Sequence, residues 1–321
     1  MRVLVTGATG FVGTHVCAAL LQAGHQVTAT VRRPGVLRSD SGVREVAMGG
    51  IGPDSNWWRA LDDVDVVIHL AARTHVMRDT AVDPEAAYRR VNVEATAALA
   101  TQAAARGAKR FILLSSVKAG AEQSCGRIPL RIDMTPQPED AYGRTKLVAE
   151  KNLTKLGENS GMETVILRSP LIYGPGIKGN LLSLFDAVYK GVPLPLRSVN
   201  NRRDFLFVEN LVAAIMHAMG AQAHQCGSYY VCDGEAISVA ELTRRIANAL
   251  DRPARLLPVP VPLLRLAGVI SGKSETVKRL TGSLQIDGDT FCRRVDWTPP
   301  YTMKEGLAKT AAWYKSRGST D

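Results

Sequence analysis

The chain lacks most of the features that mark secreted, metal-binding or membrane-spanning proteins. Its 321 residues include only five cysteines, an odd number, and these are scattered without the spacing of metal ligands. We therefore expect reduced thiols, no metal site and a cytoplasmic protein. No stretch combines a basic segment, an apolar run and a small-residue cleavage site, so we expect no secretory signal.

Long apolar runs are also missing. The most apolar later stretch, residues 259–270, is too short to span a bilayer, and it contains Pro260, Pro262 and Arg265. We expect no membrane span. The stretch predicts a buried or surface-packed helix, and a helix at a membrane interface is the alternative.

The sequence has no zinc-finger or RNP signature, and its basic residues are dispersed. Although the formal net charge of +10 suits anionic partners, this dispersal argues against nucleic acid. A phosphorylated small molecule is the better hypothesis for the partner. Internal repeats and low-complexity linkers are absent as well.

What the chain does have, in its first half, is a regular alternation of short apolar strands and helical patterns. The predicted strands are residues 2–6, 26–31, 64–70, 110–115 and 164–167, and the predicted helices are 13–23, 84–106 and 142–157. Strands that alternate with helices predict a parallel sheet with right-handed crossovers. The expected fold class is therefore α/β, a doubly wound Rossmann sheet.

Beyond Arg168 proline and glycine become frequent, as expected of a segment that leaves the sheet to cover a ligand. Helices are predicted over residues 205–219 and 238–250, the second opening with the capping pattern Ser238-x-x-Glu241. We expect a nucleotide-binding domain of residues 1–168, to which 205–230 return. Residues 169–204 and 231–321 would form a smaller C-terminal substrate-binding domain.

A glycine triplet, Gly7, Gly10 and Gly13, stands between the first strand and the first helix. Glycine permits positive φ and close backbone approach, and a helix N-terminus offers amides to a pyrophosphate. A tight structural turn is the alternative, but strand, triplet and helix in register favour dinucleotide binding. Thr9, Phe11 and Val12 of the same loop are expected cofactor contacts.

The end of the second strand predicts which dinucleotide binds. An acid there would accept from the ribose 2′-OH of NAD, but Arg32 and Arg33 stand at this point instead. Arginine pairs bidentately with a 2′-phosphate. We therefore expect NADP, with NAD as an alternative; the two arginines could also be solvated loop residues.

Tyr142 and Lys146 lie four residues apart, on one face of a predicted helix. A nearby ammonium stabilises a phenolate, so we expect Lys146 to lower the pKa of Tyr142 and prepare it for proton exchange with a carbinol or carbonyl oxygen. Ser116, at the end of the preceding strand, is expected to hydrogen-bond that oxygen. Ser115 is the alternative for this role.

Taken together, these residues resemble the extended short-chain dehydrogenases of the NAD-dependent epimerase/dehydratase family, which act on nucleotide-sugars. The resemblance covers essentially the whole chain. It rests on TGATGFVG, HLAA, SS, YGRTK, YGPG, RRDFLFVENL and DWTPPYTMKEGL. It implies further cofactor contacts from Leu70, Ala71, Ala72 and Pro170, and substrate contacts from Ser116, Lys118, Asn180, Arg203 and Arg279. It also implies a homodimer formed through a four-helix bundle of the helices that hold Asn92 and Tyr142.

Departures from the family pattern narrow the expected reaction. Val117-Lys118 replaces the Asp-Glu pair of the dehydratases, which argues against a 4,6-dehydratase. Gly49-Gly50 replaces an acidic segment near the adenine, and with Arg32-Arg33 this suits a cofactor that is exchanged in every cycle. We therefore expect a reductase of a UDP-4-keto-6-deoxy-N-acetylhexosamine in surface-polysaccharide (O-antigen) synthesis. The alternatives are a UDP-sugar 4-epimerase and, more distantly, a non-catalytic NADP-sensing regulator.

Overall fold

The computed structural model describes residues 1–37, 41–74, 83–126 and 128–317, with His224 described by its backbone alone. Its centre is a seven-stranded sheet in the order β3-β2-β1-β4-β5-β6-β9, in which every neighbouring pair is parallel. The strands are β1 (Arg2–Thr6), β2 (Gln26–Val31), β3 (Val43–Ala47), β4 (Val66–His69), β5 (Arg110–Ser116), β6 (Glu163–Ser169) and β9 (Gly227–Tyr230). The predicted Rossmann fold class is confirmed.

A second sheet pairs β7 (Leu171–Tyr173) with β8 (Phe205–Phe207), again in parallel. The helices are α1 (Phe11–Gln22), α2 (Pro84–Arg89), α3 (Ala95–Ala105), α4 (Ala141–Ser160), α5 (Gly179–Tyr189), α6 (Val208–Gly220), α7 (Val239–Ala249), α8 (Val261–Ile270), α9 (Ser274–Thr281), α10 (Asp289–Val295) and α11 (Met303–Arg317). No helix in the described part of the chain is long and apolar enough to cross a bilayer.

Two apolar layers enclose the large sheet. On one face, α1 and α6 pack against the strands through fully buried side chains such as Leu20 and Ile215. On the other face, α3 and α4 do so through Leu99 and Leu153. Because both faces are covered, the central strands are almost wholly apolar, as is usual for parallel sheets.

A third apolar cluster lies beside the small sheet and includes buried residues of α5, α7 and α11. A polar network connects this cluster to the segment that follows β9 of the large sheet. In this segment Asp233 accepts hydrogen bonds from the Tyr173 hydroxyl at 2.9 Å and from Asn210 Nδ2 at 2.7 Å. Asn210 in turn binds the backbone of Tyr301 in both directions, at 2.9 Å each. The tyrosine of the YGPG motif is therefore a structural residue.

Several elements differ from the sequence prediction. Strands β3, β7, β8 and β9 were not expected, and the helix predicted from residue 205 begins only at Val208, after β8. The long helix predicted over 84–106 is interrupted by a π-helical segment, Arg90–Glu94. The division into two domains stays a prediction, although Phe291 and Trp297, assigned to the second domain, pack in the core of the large sheet.

Candidate active site at the carboxyl edge of the sheet

The glycine triplet folds into a loop so tight that two of its positions exclude a side chain. Gly7 has φ +70°, and a Cβ there would lie 2.8 Å from the Ala71 nitrogen. A Cβ at Gly13 would lie 2.1 Å from the Gly7 oxygen. Gly10 is the N-cap of α1 and has no side chain to occupy the first-turn amides. The backbone is thus bare where a pyrophosphate would meet a helix N-terminus.

The other expected loop contacts surround this turn. Thr9 is exposed, whereas Phe11 and Val12 in the first turn of α1 are partly buried. Three consecutive, partly buried residues follow β4, the strand next to β1: Leu70, Ala71 and Ala72. Pro170 is buried directly after β6. All of these lie at the carboxyl edge of the sheet, where ligands of doubly wound folds bind.

A buried histidine supports the loop from below. His69 Nδ1 lies 2.7 Å from Thr6 Oγ1, and His69 Nε2 lies 2.9 Å from Thr96 Oγ1. Thr6 Oγ1 also accepts a hydrogen bond from the Ala71 amide at 3.1 Å, so its own proton is available to Nδ1. The His69 ring is therefore held at both of its nitrogens. Burial, with the nearby charge of Lys146, lowers its pKa to about 3.

Arg32 and Arg33 are exposed directly after β2, which lies next to β1. Their position beside the glycine loop is the one expected for reading the adenosine ribose. The structure adds a carboxylate that the sequence analysis missed: Glu45 of β3 accepts from the amides of Gly35 at 2.6 Å and Leu37 at 2.9 Å. Through these two hydrogen bonds Glu45 stabilises the turn that follows β2.

The two serines at the end of β5 face in opposite directions, because successive side chains of a strand alternate. Ser115 is buried and donates to a carboxylate oxygen of Glu150. Ser116 is partly buried, and its interaction with the Tyr142 side chain acts to lower the pKa of that tyrosine. The geometry therefore pairs Ser116, and not Ser115, with the tyrosine.

The electrostatics of Tyr142 and Lys146 differ from the expectation. Burial raises the pKa of Tyr142 to about 12, although the hydrogen bond from Ser116 opposes that rise. The ammonium of Lys146 donates to the Leu114 carbonyl at 2.7 Å, and burial lowers its pKa to about 8. The expected lowering of the Tyr142 pKa by Lys146 is not seen in this structure, in which desolvation dominates and the ammonium of Lys146 is directed to the Leu114 carbonyl.

The start of α4, which carries Tyr142, is fixed by its neighbours. Asp140 caps the helix by accepting from the Gly143 amide at 2.7 Å. Lys118, expected to contact substrate, instead directs its ammonium to Asp140 and to Glu122, the latter at 2.9 Å. A Cβ at Gly143 would lie 2.4 Å from the Lys118 oxygen, so glycine permits the close contact of α4 with the turn after β5.

Asn92 has a structural role that the sequence analysis did not assign. It is buried in the π-helical segment Arg90–Glu94, and it holds the backbone of Arg73 through both its amide atoms, at 2.8 and 3.1 Å. Its Nδ2 also lies 3.2 Å from Thr145 Oγ1, next to Lys146. Irregular helical turns of this kind often occur at functional sites.

The remaining expected substrate residues, Asn180, Arg203 and Arg279, lie beyond β6 in the chain. Asn180 is exposed in the first turn of α5. The guanidinium of Arg203 donates to the carbonyls of Arg279 and Gly282, both at 2.9 Å. Burial and the nearby charge of Arg279 lower the pKa of Arg203. Arg203 and Arg279 are 76 positions apart in the sequence but are held together, and two such positive groups suit a diphosphate.

A family model described as the NAD dependent epimerase/dehydratase family matches residues 3–232. The chain belongs to this family. A UDP-glucose 4-epimerase of Vibrio cholerae is 40% identical over 310 residues, which cover 96% of this chain and 94% of that protein. A GDP-6-deoxy-D-mannose reductase of Pseudomonas aeruginosa is 26% identical over 328 residues, covering 98% of each chain.

Solved structures of related enzymes have the same fold. MoeE5 in complex with UDP-glucuronic acid and NAD superposes with a TM-score of 0.78 at 26% identity, covering 99% of this chain and 100% of that one. A UDP-glucuronic acid 4-epimerase from Bacillus cereus, bound to NAD, gives 0.78 at 20% identity, with coverage of 100% and 99%. The chain is thus a nucleotide-sugar enzyme of the NAD-dependent epimerase/dehydratase type.

Proposed function

We propose that the protein is a UDP-sugar 4-epimerase whose catalytic residues are Ser116, Tyr142 and Lys146. The observation that carries this proposal is the contact of the catalytic helix with the end of β5, where Lys146 donates to the Leu114 carbonyl at 2.7 Å and Ser116 interacts with the Tyr142 side chain. A sugar carbinol bound at this point would meet a proton-exchanging hydroxyl beside the dinucleotide. The similarity to the Vibrio cholerae epimerase supports the choice of reaction over the reductase favoured in the sequence analysis.

In this mechanism the protein side chains transfer the proton. In its phenolate form Tyr142 accepts the proton of the sugar 4-hydroxyl as the ketone forms, and as the resulting phenol it returns that proton when the carbinol is restored on the other face. Ser116 hydrogen-bonds the same oxygen, and Lys146 holds positive charge near the tyrosine. A bound nicotinamide supplies the acceptor and donor of hydride. Arg203 and Arg279 hold the diphosphate while the sugar turns between its two orientations.

The dinucleotide would be held by the residues whose geometry fits it. The bare first turn of α1 receives the pyrophosphate, and Leu70 to Ala72 and Pro170 line the adjoining edge of the sheet. Arg32 and Arg33 would lie beside the adenosine ribose and favour NADP over NAD. Epimerisation retains its cofactor, so this preference is a separate hypothesis with its own test.

A 4-ketoreductase acting on a UDP-4-keto-6-deoxy-N-acetylhexosamine is the second candidate. The specific observation in its favour is the exposed Arg32-Arg33 pair, which suits a phosphorylated cofactor that enters and leaves. The reductase similarity from Pseudomonas aeruginosa adds to it. The same three catalytic residues serve both reactions, so mutating them cannot separate the two.

Cofactor stoichiometry separates the candidates. The purified protein is incubated with UDP-glucose or UDP-galactose, and with their N-acetyl forms, with and without NAD, and the sugars are resolved by anion-exchange chromatography. We expect interconversion of one pair with no net change in reduced-nicotinamide absorbance. Oxidation of NADPH in proportion to an added UDP-4-keto sugar, without any interconversion, would establish the reductase and reject the epimerase.

We further propose a cytoplasmic homodimer that forms through α3 and α4. These helices pack side by side, and a shallow groove between their outer faces is lined partly by small residues such as Ala97 and Thr101. Sedimentation equilibrium measures the mass directly. A monomer at micromolar concentration would reject this assembly without affecting the proposed reaction.

A further inference from the structure

Helix α8 has one packed side and one uncovered side. On the packed side, Val261 and Leu264 contact a small apolar cluster that includes Leu196 and Val199. Gly268 is buried, and a Cβ there would lie 2.8 Å from a methyl carbon of Val277 in α9. These contacts hold α8 and α9 together as a pair on the protein surface.

The uncovered side of α8 is strongly apolar. Four large aliphatic side chains are between 55% and 79% exposed: Leu263, Leu266, Val269 and Ile270. At about 100° per residue these positions fall within one arc of about 120° around the helix. An exposed apolar patch of this kind marks a contact surface. The expectation of a buried or surface-packed helix therefore holds for only one side of α8.

Positive charge is concentrated in the sequence segment that contains α8 and α9. Residues 252–280 carry six basic side chains and one acidic side chain, a net charge of +5 out of +10 for the whole chain. The basic residues are Arg252, Arg255, Arg265, Lys273, Lys278 and Arg279. The single acid is Glu275. Fewer than a tenth of the residues thus hold half of the net charge.

We propose that α8 docks on an anionic lipid bilayer, with its aliphatic arc in the interface and the exposed basic side chains of Arg265 and Lys273 at the headgroups. A short helix with apolar residues on one side and basic residues nearby lies in the membrane plane, and each base adds electrostatic attraction to anionic lipid. With only ten residues, α8 would lie on the bilayer without spanning it.

Other occupants fit the surface less well. A second copy of the chain would bring two patches of net charge +5 together, and like charges oppose this contact. The centres of protein interfaces are enriched in aromatic residues and methionine. The exposed arc of α8 has only aliphatic side chains, which are suited to acyl chains.

Helix α9, which pairs with α8, contacts residues of the proposed substrate site and of the catalytic helix. Helix α9 carries Arg279, whose carbonyl binds Arg203, and Lys278, which forms an ion pair with Glu139 at 2.6 Å. Glu139 directly precedes Asp140, the cap of the catalytic helix. Docking through α8 would therefore hold the opening of the site near the bilayer. This inference is independent of which reaction the enzyme catalyses.

Vesicle flotation of the full-length protein tests the proposal. Binding is measured to vesicles of phosphatidylcholine alone and of phosphatidylcholine with phosphatidylglycerol. The variants are Leu266→Ser with Ile270→Ser, and Arg265→Glu with Lys273→Glu. Val36→Ser is the matched control, because Val36 is an apolar residue of similar exposure (53%) that lies outside the α8–α9 pair.

We expect binding to the anionic vesicles only, weakened by salt and reduced about tenfold or more by either double variant. The control should bind as the wild type does. Absence of binding to anionic vesicles, or binding that both double variants retain, would overturn the proposal. A change of sedimentation mass in the Leu266→Ser, Ile270→Ser variant would also overturn it, by showing that a second copy covers α8. Circular dichroism of each variant confirms folding.

Discussion

Glu150 and Arg168 form a buried ion pair beneath the catalytic helix. Arg168 Nη2 lies 2.6 Å from Glu150 Oε2, and the two side chains are 5% and 4% exposed. Glu150 stands one helical turn after Lys146, and Ser115 donates to the same carboxylate. The pair thus connects β5, β6 and α4 directly under the reacting groups.

Removing one partner of this pair should be costly. Glu150→Ala leaves a guanidinium in the interior without its counter-charge, so we expect a loss of about 3–5 kcal/mol in the free energy of unfolding. The matched control is Glu85→Ala, which breaks the exposed pair with Arg144 and should cost about 0–1 kcal/mol. Urea unfolding measures both. Equal losses would show that the buried pair has no special role.

Gly143→Ala should reverse the usual effect of this substitution in a helix. Alanine normally stabilises a helix interior by about 1 kcal/mol, but here the new methyl group would lie 2.4 Å from the Lys118 oxygen. We expect destabilisation of about 1–3 kcal/mol and reduced turnover, because α4 must shift. Gly220→Ala, in α6 with no atom near its Cβ, is the control. Unchanged melting temperature and activity in Gly143→Ala would contradict the contact.

Tyr142→Phe removes the transferable proton and leaves the ring in place. Nucleotide-sugar binding, measured by calorimetry, should survive, while turnover falls by about 10²–10⁴. Tyr189→Phe removes the same hydroxyl from a tyrosine that is exposed on α5, and it should retain full activity. Near-normal turnover of Tyr142→Phe would reject its acid–base role.

Arg32→Asp should reverse the preference for the cofactor. We expect the wild type to bind NADPH more tightly than NADH, and the variant to lose about 1–3 kcal/mol of NADPH binding, as for hydrogen bonds to charged groups. Arg44→Asp makes the same charge change at an exposed position of β3 and should leave the order unchanged. Equal affinities of the wild type for both nucleotides, in fluorescence titrations, would reject the assignment.

His69 should make the fold less stable in acid. Its pKa in the folded protein is about 3, below the ordinary 6.5, so between these values the native state binds fewer protons than the unfolded state. Stability therefore rises with pH through this window and falls on acidification. At about 1.4 kcal/mol per pH unit, lowering the pH from about 7.5 to 5 should cost about 2 kcal/mol through His69.

His69→Gln removes this contribution and should flatten the pH dependence of urea unfolding by about that amount. Exposed His217→Gln is the control. Burial raises the pKa of Asp204 to about 6, which gives the opposite slope in part of the window. Because Asp204 is present in all three proteins, its effect cancels in the comparison. Identical pH profiles for the wild type and His69→Gln would contradict the prediction.

The central strands were predictable because their apolar runs are local sequence patterns. Such a run indicates a buried strand whatever path the rest of the chain takes. Strand β3 was missed because it lies at the sheet edge and only Val46 among its five residues is buried, so it has no continuous apolar run. Strand β8 has three apolar residues that run directly into a helix of similar composition. Without the pairing to β7, nothing in the sequence distinguishes it from the first turn of α6.

The sequence by itself determined the features that depend on spacing: the bare glycine loop before α1, the shared helical face of Tyr142 and Lys146, and the absence of an acid after β2. Helical periodicity and backbone sterics act over a few residues, so these features do not depend on the tertiary structure. Only the tertiary structure decided that Ser116 meets the tyrosine, and that Lys118 turns to Asp140 and Glu122.

The tertiary structure also placed Arg203 beside Arg279. It decided the sign of the pKa shift at Tyr142 as well, because desolvation depends on which distant segments close over a group. Burial and long-range contacts of this kind are properties of the packed chain, and no local pattern of residues encodes them.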